Sequence, residues 1–159
     1  MALHVGVIGS GEPDAELEHI AESIGRAIAE SGAVVVCGGL HGVMEAACRG
    51  AADAGGTTIG ILPGPDGAAA NPWVTTAIPT GLGELRNGLI VRASDVLIAV
   101  GGEYGTLSEI AFALKVGRPV VGVRTWTLLR PDGAADTAVV VCEPEDAVEV
   151  ALALAAARR

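Results

Sequence analysis

Two residues of this sequence form a pair that could do chemistry, Arg86 and Glu109. An arginine fork grips a phosphate or orients a carboxylate. A carboxylate can handle a proton or a water as a general acid or base. Three glycine-rich segments accompany them: Gly9-Ser10-Gly11, Gly38-Gly39-Leu40-His41-Gly42 and Gly101-Gly102-Glu103-Tyr104-Gly105. Glycine lets a backbone approach a ligand closely. The third segment runs into Thr106 and a helical stretch, where free backbone N–H groups and the helix dipole suit an anion, most often phosphate. Thr106 adds a hydroxyl donor. Glu103 is an odd neighbour for a phosphate, and its side chain is expected to turn away.

Each feature also has a plainer reading. Thr106-Leu107-Ser108-Glu109 fits a capping box, in which Glu109 reaches back to the Thr106 amide. Arg86 reads equally as a solvated helix arginine. Glu45, in the first turn of the helix after Gly42, complements the dipole or lines a cleft. His41 is a loop residue open to ligand contact, His4 a strand residue and His19 a helix-surface residue. The three histidines have no metal-ligand spacing, and no motif requires a metal. Asn71-Pro72-Trp73 is either a lid over the cleft or a packed anchor. The dinucleotide fingerprint is incomplete: Asp14 stands where its third glycine belongs, and Val36-Cys37-Gly38 supplies no acid for a ribose. NAD is therefore not expected. No Walker A segment and no G-x-S-x-G elbow occurs. Lys115, the only lysine, lies late in a helical stretch and is poorly placed for a Schiff base.

The elements that must position these residues alternate. Short β-rich runs are expected at Leu3–Ile8, Ala33–Cys37, Thr57–Leu62, Trp73–Ile78, Asp95–Val100, Pro119–Val123 and Thr137–Cys142. Helical stretches are expected at Pro13–Ser31, Val43–Ala54, Gly83–Ala93, Thr106–Val116 and Pro144–Ala157. The first carries Leu17, Ile20, Ile24 and Ile28 at helical spacing. Such strand–loop–helix repetition implies an α/β, Rossmann-like sandwich, with a mostly parallel sheet and helices on both faces. Ligands bind there at the carboxyl ends of the strands, near a switch in strand order. All three glycine-rich loops follow predicted strands, so they should share one sheet edge.

The 159 residues suit a single domain, 1–159. At 50% hydrophobic and 18% charged, the chain is no disordered segment. A net charge of −9 and only 3% aromatic residues argue against nucleic acid and an anionic membrane as partners, despite the basic tip Arg158-Arg159. No apolar run reaches the roughly 18 residues of a membrane span. The N-terminus lacks the basic region and cleavage site of a signal peptide. Cys37, Cys48 and Cys142 form no C-x-x-C pair, which fits a reducing cytoplasm, and Cys37 and Cys142 read as core residues.

In order, the segments Gly9–Gly11, Gly38–Glu45, Gly60–Pro63, Arg86-Asn87 and Gly101–Glu109 resemble the LOG-like Rossmann superfamily, over about residues 3 to 123. One branch holds the LOG phosphoribohydrolases, which cleave the N-glycosidic bond of a nucleoside 5′-monophosphate. That resemblance implies Arg86 and Glu109 as catalytic residues. Asn87 stands in place of that branch's lysine, Ile90 in place of its methionine, and Gly101 in place of its proline. These departures bear on cytokinin-type specificity more than on the phosphate site. The other branch, about as long as this chain, contains the molybdenum-cofactor carrier proteins. Arg-Asn, Gly-Val-Met-Glu-Ala-Ala and Gly-Thr-Leu-Ser-Glu look more like it. That branch implies a phosphorylated pterin or nucleotide-like ligand, with the molybdenum cofactor as possible cargo. The ligand would be held by the three loops with His41, Glu45, Asn87 and Thr106. Both branches imply a homo-oligomer, dimer or tetramer.

Overall fold

A computed structural model describes residues 1–158, so Arg159 of the basic tip lies outside the described residues. Strands and helices alternate: β1 (His4–Gly9), α1 (Ala15–Glu30), β2 (Val34–Cys37), α2 (Val43–Asp53), β3 (Thr58–Leu62), β4 (Thr76–Pro79), α3 (Asn87–Ala93), β5 (Val96–Val100), α4 (Tyr104–Lys115), β6 (Val120–Val123), β7 (Val139–Val141) and α5 (Ala147–Ala156). The seven strands form one sheet in the order β4-β3-β2-β1-β5-β6-β7, and every pairing is parallel. The mostly parallel sheet expected from sequence is thus wholly parallel. The chain builds outward from β1 to β4, then returns to β1's other side with β5. The switch in strand order therefore falls between β1 and β5.

Burial on both faces explains the apolar strands. All five residues of β5 are buried. Val96, Ile98 and Val100 face a core completed by α1, α2 and α5. Leu97 and Ala99 face a second core with Ile90 and Val91 of α3 and Ile110 and Ala113 of α4. On the first face α1 and α2 meet backbone to backbone: a Cβ on Gly25 would overlap the Ala47 carbonyl, and one on Gly50 the Glu22 carbonyl. Asp14 caps α1, accepting the Leu17 N–H at 2.8 Å.

Several element boundaries shift for local reasons. Residues Gly83–Arg86 wind as a tight 3-10 turn ahead of α3, because Gly83 has φ 58 and its N–H donates to the Pro63 carbonyl at 3.0 Å. Pro144–Asp146 likewise forms a 3-10 turn before α5. β4 starts at Thr76, since Asn71 accepts the Trp73 N–H and folds the preceding residues into a turn. β7 is three residues long, because the Asp136 carboxylate takes the Ala138 N–H and holds 137–138 in a turn. Cys37 is fully buried, as expected of a core residue, whereas Cys142 is half-buried against the first core.

Candidate functional site

The three glycine-rich loops meet at the switch point. Ser10 N–H donates to the Val100 carbonyl at 3.3 Å, so the β1 loop lies against the end of β5. Val43 N–H donates to the Ser10 carbonyl at 2.9 Å, and a Cβ on Gly42 would overlap that same carbonyl. Gly42 also has φ 72, a conformation that glycine adopts without strain. Two loops thus interlock through main chain alone. The third is braced from β6: Gly101 N–H donates to the Val123 carbonyl, and Thr125 Oγ1 donates to the Gly101 carbonyl at 2.6 Å.

Between the loops lies a cleft of about 350 Å³, within the usual range for small-molecule sites. Gly9, Gly11, Gly38, Arg86, Asn87, Glu103, Gly105, Thr106 and Glu109 line it. A Cβ on Gly11 or Gly105 would meet no atom within 4 Å, so these two glycines leave space rather than allow packing. The other sequence candidates sit behind or beside the cleft. Ser10 Oγ accepts the Glu12 N–H, and the Gly39 carbonyl accepts the Asn71 N–H. Gly101 packs on Leu17, and Gly102 packs on the Thr106 side chain. Tyr104 is exposed and lies against Trp126, with ring centroids 5.7 Å apart. His41 Nδ1 pairs with Glu45 Oε2 at 3.2 Å, and Glu45 faces a separate polar hollow with Glu18 and Arg49.

Glu109 does not cap its helix. α4 begins at Tyr104, three residues before the capping-box reading requires, and Glu103 occupies the cap position with an extended backbone. Gly102, at φ 111, makes the bend that starts the helix early. Thr106 is therefore already inside the helix and Glu109 lies in its second turn, on the cleft wall. Glu109 is only 7% exposed, and no side-chain hydrogen bond reaches it among the described residues. Burial pushes its carboxyl up to about 8, with the Arg86 guanidinium pulling the other way. At neutral pH it carries a proton.

Arg86 is not a solvated helix arginine either. It ends the 3-10 turn before α3 and is 9% exposed. Its Nη1 donates to Asn87 Oδ1, while its Nε is buried with no partner. Burial lowers its pKa, and the nearby Glu109 opposes that. The Nε–H is a buried donor without an acceptor, while the Arg86 side chain itself lines the cleft.

Trp73 belongs to an anchor rather than a lid. Asn71, 3% exposed, donates through Nδ2 to the Leu40 carbonyl at 2.9 Å and so ties this segment to the Gly38–Gly42 loop. Sequence reasoning passed over the cleft's apolar floor, Val7, Ile8, Leu40, Met44 and Pro63, and Glu84 at its rim. Met44 and Pro63 do lie within segments that carry the superfamily resemblance. Glu84 sits two residues before Arg86, in the same turn. Among the described residues no cluster of three metal-ligating side chains occurs, and no helix is long and apolar enough to cross a membrane.

Comparison with known proteins agrees with this architecture. A protein of Archaeoglobus fulgidus is 48% identical over 122 residues, covering 77% of this chain and 80% of its own. The molybdenum cofactor binding protein of Rippkaea orientalis superposes with a TM-score of 0.86 at 38% identity, over 97% of this chain and 98% of its own. The molybdenum cofactor carrier protein of Chlamydomonas reinhardtii gives 0.83 at 33% identity, over 98% and 99%. A cytokinin riboside 5′-monophosphate phosphoribohydrolase of Rhodococcoides fascians is 36% identical over 103 residues; the match covers 57% of this chain and about half (48%) of that enzyme. The SLOG cluster4 family model matches residues 2–155, and with nearly the whole sheet and its loops inside that match, the chain belongs to the SLOG cluster4 family.

Proposed function

We propose that this protein binds and carries a phosphorylated small molecule with a nucleotide- or pterin-type ring in the cleft at the switch point, with the molybdenum cofactor as a candidate cargo. The buried Arg86 guanidinium on the cleft wall carries this reading, because an anionic ligand is what would balance its desolvated charge. The phosphate would lie over the Gly101–Thr106 loop and the start of α4, where no side chain caps the helix. Arg86 and Asn87 would add donors, and Gly9–Gly11 and Gly38–Gly42 would frame the ring system. The open space over Gly11 and Gly105 supports the same placement. So does the likeness to proteins described as binding or carrying the molybdenum cofactor. In this reading the chain works as one domain in the cytoplasm, its three cysteines unbridged.

One observation favours a second reading, hydrolysis of a nucleoside 5′-monophosphate. Glu109 is a protonated, unbonded acid on the cleft wall. It would give its proton to the leaving base as the N-glycosidic bond breaks, while water adds to the sugar carbon and returns a proton to the carboxylate. Arg86 would hold the phosphate and orient the sugar. The two readings separate in one experiment. The pure protein is titrated with AMP and GMP by calorimetry, then incubated with each while free base is followed by chromatography. Binding without base release, lost in Arg86→Ala, is the result expected of a carrier. Base release abolished in both Glu109→Ala and Arg86→Ala, with the variants still folded, would establish the hydrolase. Failure of every phosphorylated ligand to bind would refute both.

A homo-oligomer belongs to the proposal as well. Leu82, Leu85 and Leu89, at 49%, 81% and 41% exposure, line the outer side of the segment that carries Arg86 and Asn87 on its inner side. Burying them against a second copy would also stiffen the wall that holds those two residues.

A further inference from the structure

Cys37 ends β2 and Cys48 lies in the middle of α2, yet their Sγ atoms are 3.5 Å apart and both residues are fully buried. A disulfide needs about 2.05 Å, so the two sulfurs must close by about 1.5 Å. The residues between them, 38–47, include Gly38, Leu40 and Met44 of the cleft wall. A bond here would close a ring containing that whole wall.

We propose that Cys37 and Cys48 are an oxidisable dithiol, a site for a peroxide-class oxidant, whose disulfide locks the Gly38–Gly42 wall and weakens ligand binding. The chemistry balances within the pair and the peroxide. The Cys48 thiolate attacks one peroxide oxygen, the O–O bond breaks, and water leaves with a sulfenic acid on Cys48. The Cys37 sulfur then attacks the Cys48 sulfur; the S–S bond forms, the S–O bond breaks, and a second water leaves. Two thiols lose two electrons and two protons, and the peroxide is reduced to two waters. A dithiol reductant reverses the step by exchange.

Cys37 and Cys48 share one S–H···S contact in which either sulfur can donate; donation from Cys37 makes Cys48 the sulfur that attacks the peroxide. The consequence for the cleft follows from Gly39, whose N–H donates to Cys37 Sγ at 3.3 Å. Drawing that sulfur toward Cys48 weakens the contact that seats the wall on β2. The effect on binding rests on the proposed ligand-carrying function; formation of the bond does not. Cys142 is an internal control, since β1, β5 and β6 separate its end of the sheet from β2.

The test uses the full chain, reduced and then exposed to one equivalent of hydrogen peroxide. The tryptic peptide Ala27–Arg49 contains both cysteines and no internal cleavage site. It should lose the mass of two hydrogens, regain it with dithiothreitol, and do so unchanged in a Cys142→Ser background. Cys48→Ser should abolish the loss, and the wild-type peptide mass decides the matter even if that variant does not fold. GMP affinity should fall at least threefold on oxidation and recover on reduction. Peroxide that leaves this peptide unchanged, or oxidises only Cys142, would overturn the dithiol. Bond formation with unchanged GMP affinity would overturn its coupling to the cleft. Bond formation in a protein that binds GMP in neither state would leave the dithiol standing and remove the ligand-carrying function instead.

Discussion

Replacing Glu109 with glutamine should stabilise the protein by an amount that grows with pH. Glutamine keeps the shape of the protonated acid and cannot ionise. Below pH 4.5 the unfolded and folded chains both hold the Glu109 proton, so ionisation costs the native state nothing. As pH rises, the unfolded chain ionises near 4.5 while the folded one holds its proton to about 8. The raised pKa thus contributes stability that is fully present below pH 4.5 and is lost as pH rises through 8. From 4.5 to about 8 the whole loss is about 5 kcal/mol. Between pH 5 and pH 8 the part specific to Glu109 is about 3.5 kcal/mol, an order-of-magnitude figure. At 7% exposure there is little solvent to screen it. The assay is urea unfolding of wild type and Glu109→Gln at both pH values, comparing midpoints at equal slope. Every other titrating group cancels in the difference. A gap that stays constant within about 0.5 kcal/mol from pH 5 to pH 8 would falsify the picture of a buried, protonated acid.

Other perturbations separate binding from folding. Arg86→Lys should lose at least tenfold in GMP affinity by calorimetry, because an ammonium cannot reproduce the planar fork at a buried site; affinity within twofold of wild type would show that only the charge matters. Gly105→Ala places a methyl group in the open cleft and also removes a glycine from the first turn of α4. Its thermal midpoint should hold or rise, helix glycine costing about 0.5–1 kcal/mol, while ligand affinity falls about tenfold; a variant that binds normally moves the phosphate elsewhere. Asn71→Ala strands the part-buried Leu40 carbonyl and should cost about 1 kcal/mol in urea unfolding. Leu85→Glu should convert an oligomer to a monomer in sedimentation, and a wild-type protein that is already monomeric at micromolar concentration would contradict the role given to that face.

Much of this architecture is written in short-range patterns. The run Val96–Val100 is apolar at every position, which suits a strand covered on both faces, and it lies at the centre of the sheet. The glycine-rich loops were legible because each follows such a strand, and parallel topology brings their ends to one edge. Boundaries set by a single side-chain hydrogen bond were not legible. The Asp136 carboxylate shortens β7, and nothing in the pattern Thr137–Cys142 announces it. The cleft floor was hidden for another reason. Leu40 and Pro63 carry no functional group, and an apolar residue facing a ligand has the same sequence signature as one facing a core.

The role of Glu109 turned on one backbone angle. Thr-x-x-Glu describes a capping box if the helix starts after Thr106, and a cleft-facing acid if it starts earlier. Gly102, at φ 111, settles it by bending the chain early, so that Tyr104 opens the helix. The resulting fold carries two groups it does not need for stability. With its carboxyl pushed up to about 8, the buried acid costs the native state about 3 kcal/mol at pH 7. The buried Arg86 leaves a donor unpaired, a further cost of about 1–3 kcal/mol. In the proposed complex a charged ligand would offset only the Arg86 cost. Its phosphate would balance the buried guanidinium, while its negative charge would raise the Glu109 carboxyl further and leave that cost in place. The same two groups would serve either proposed function, carrier or hydrolase. Both functions require a bound phosphate. Only the hydrolase requires that the Glu109 proton leave its oxygen.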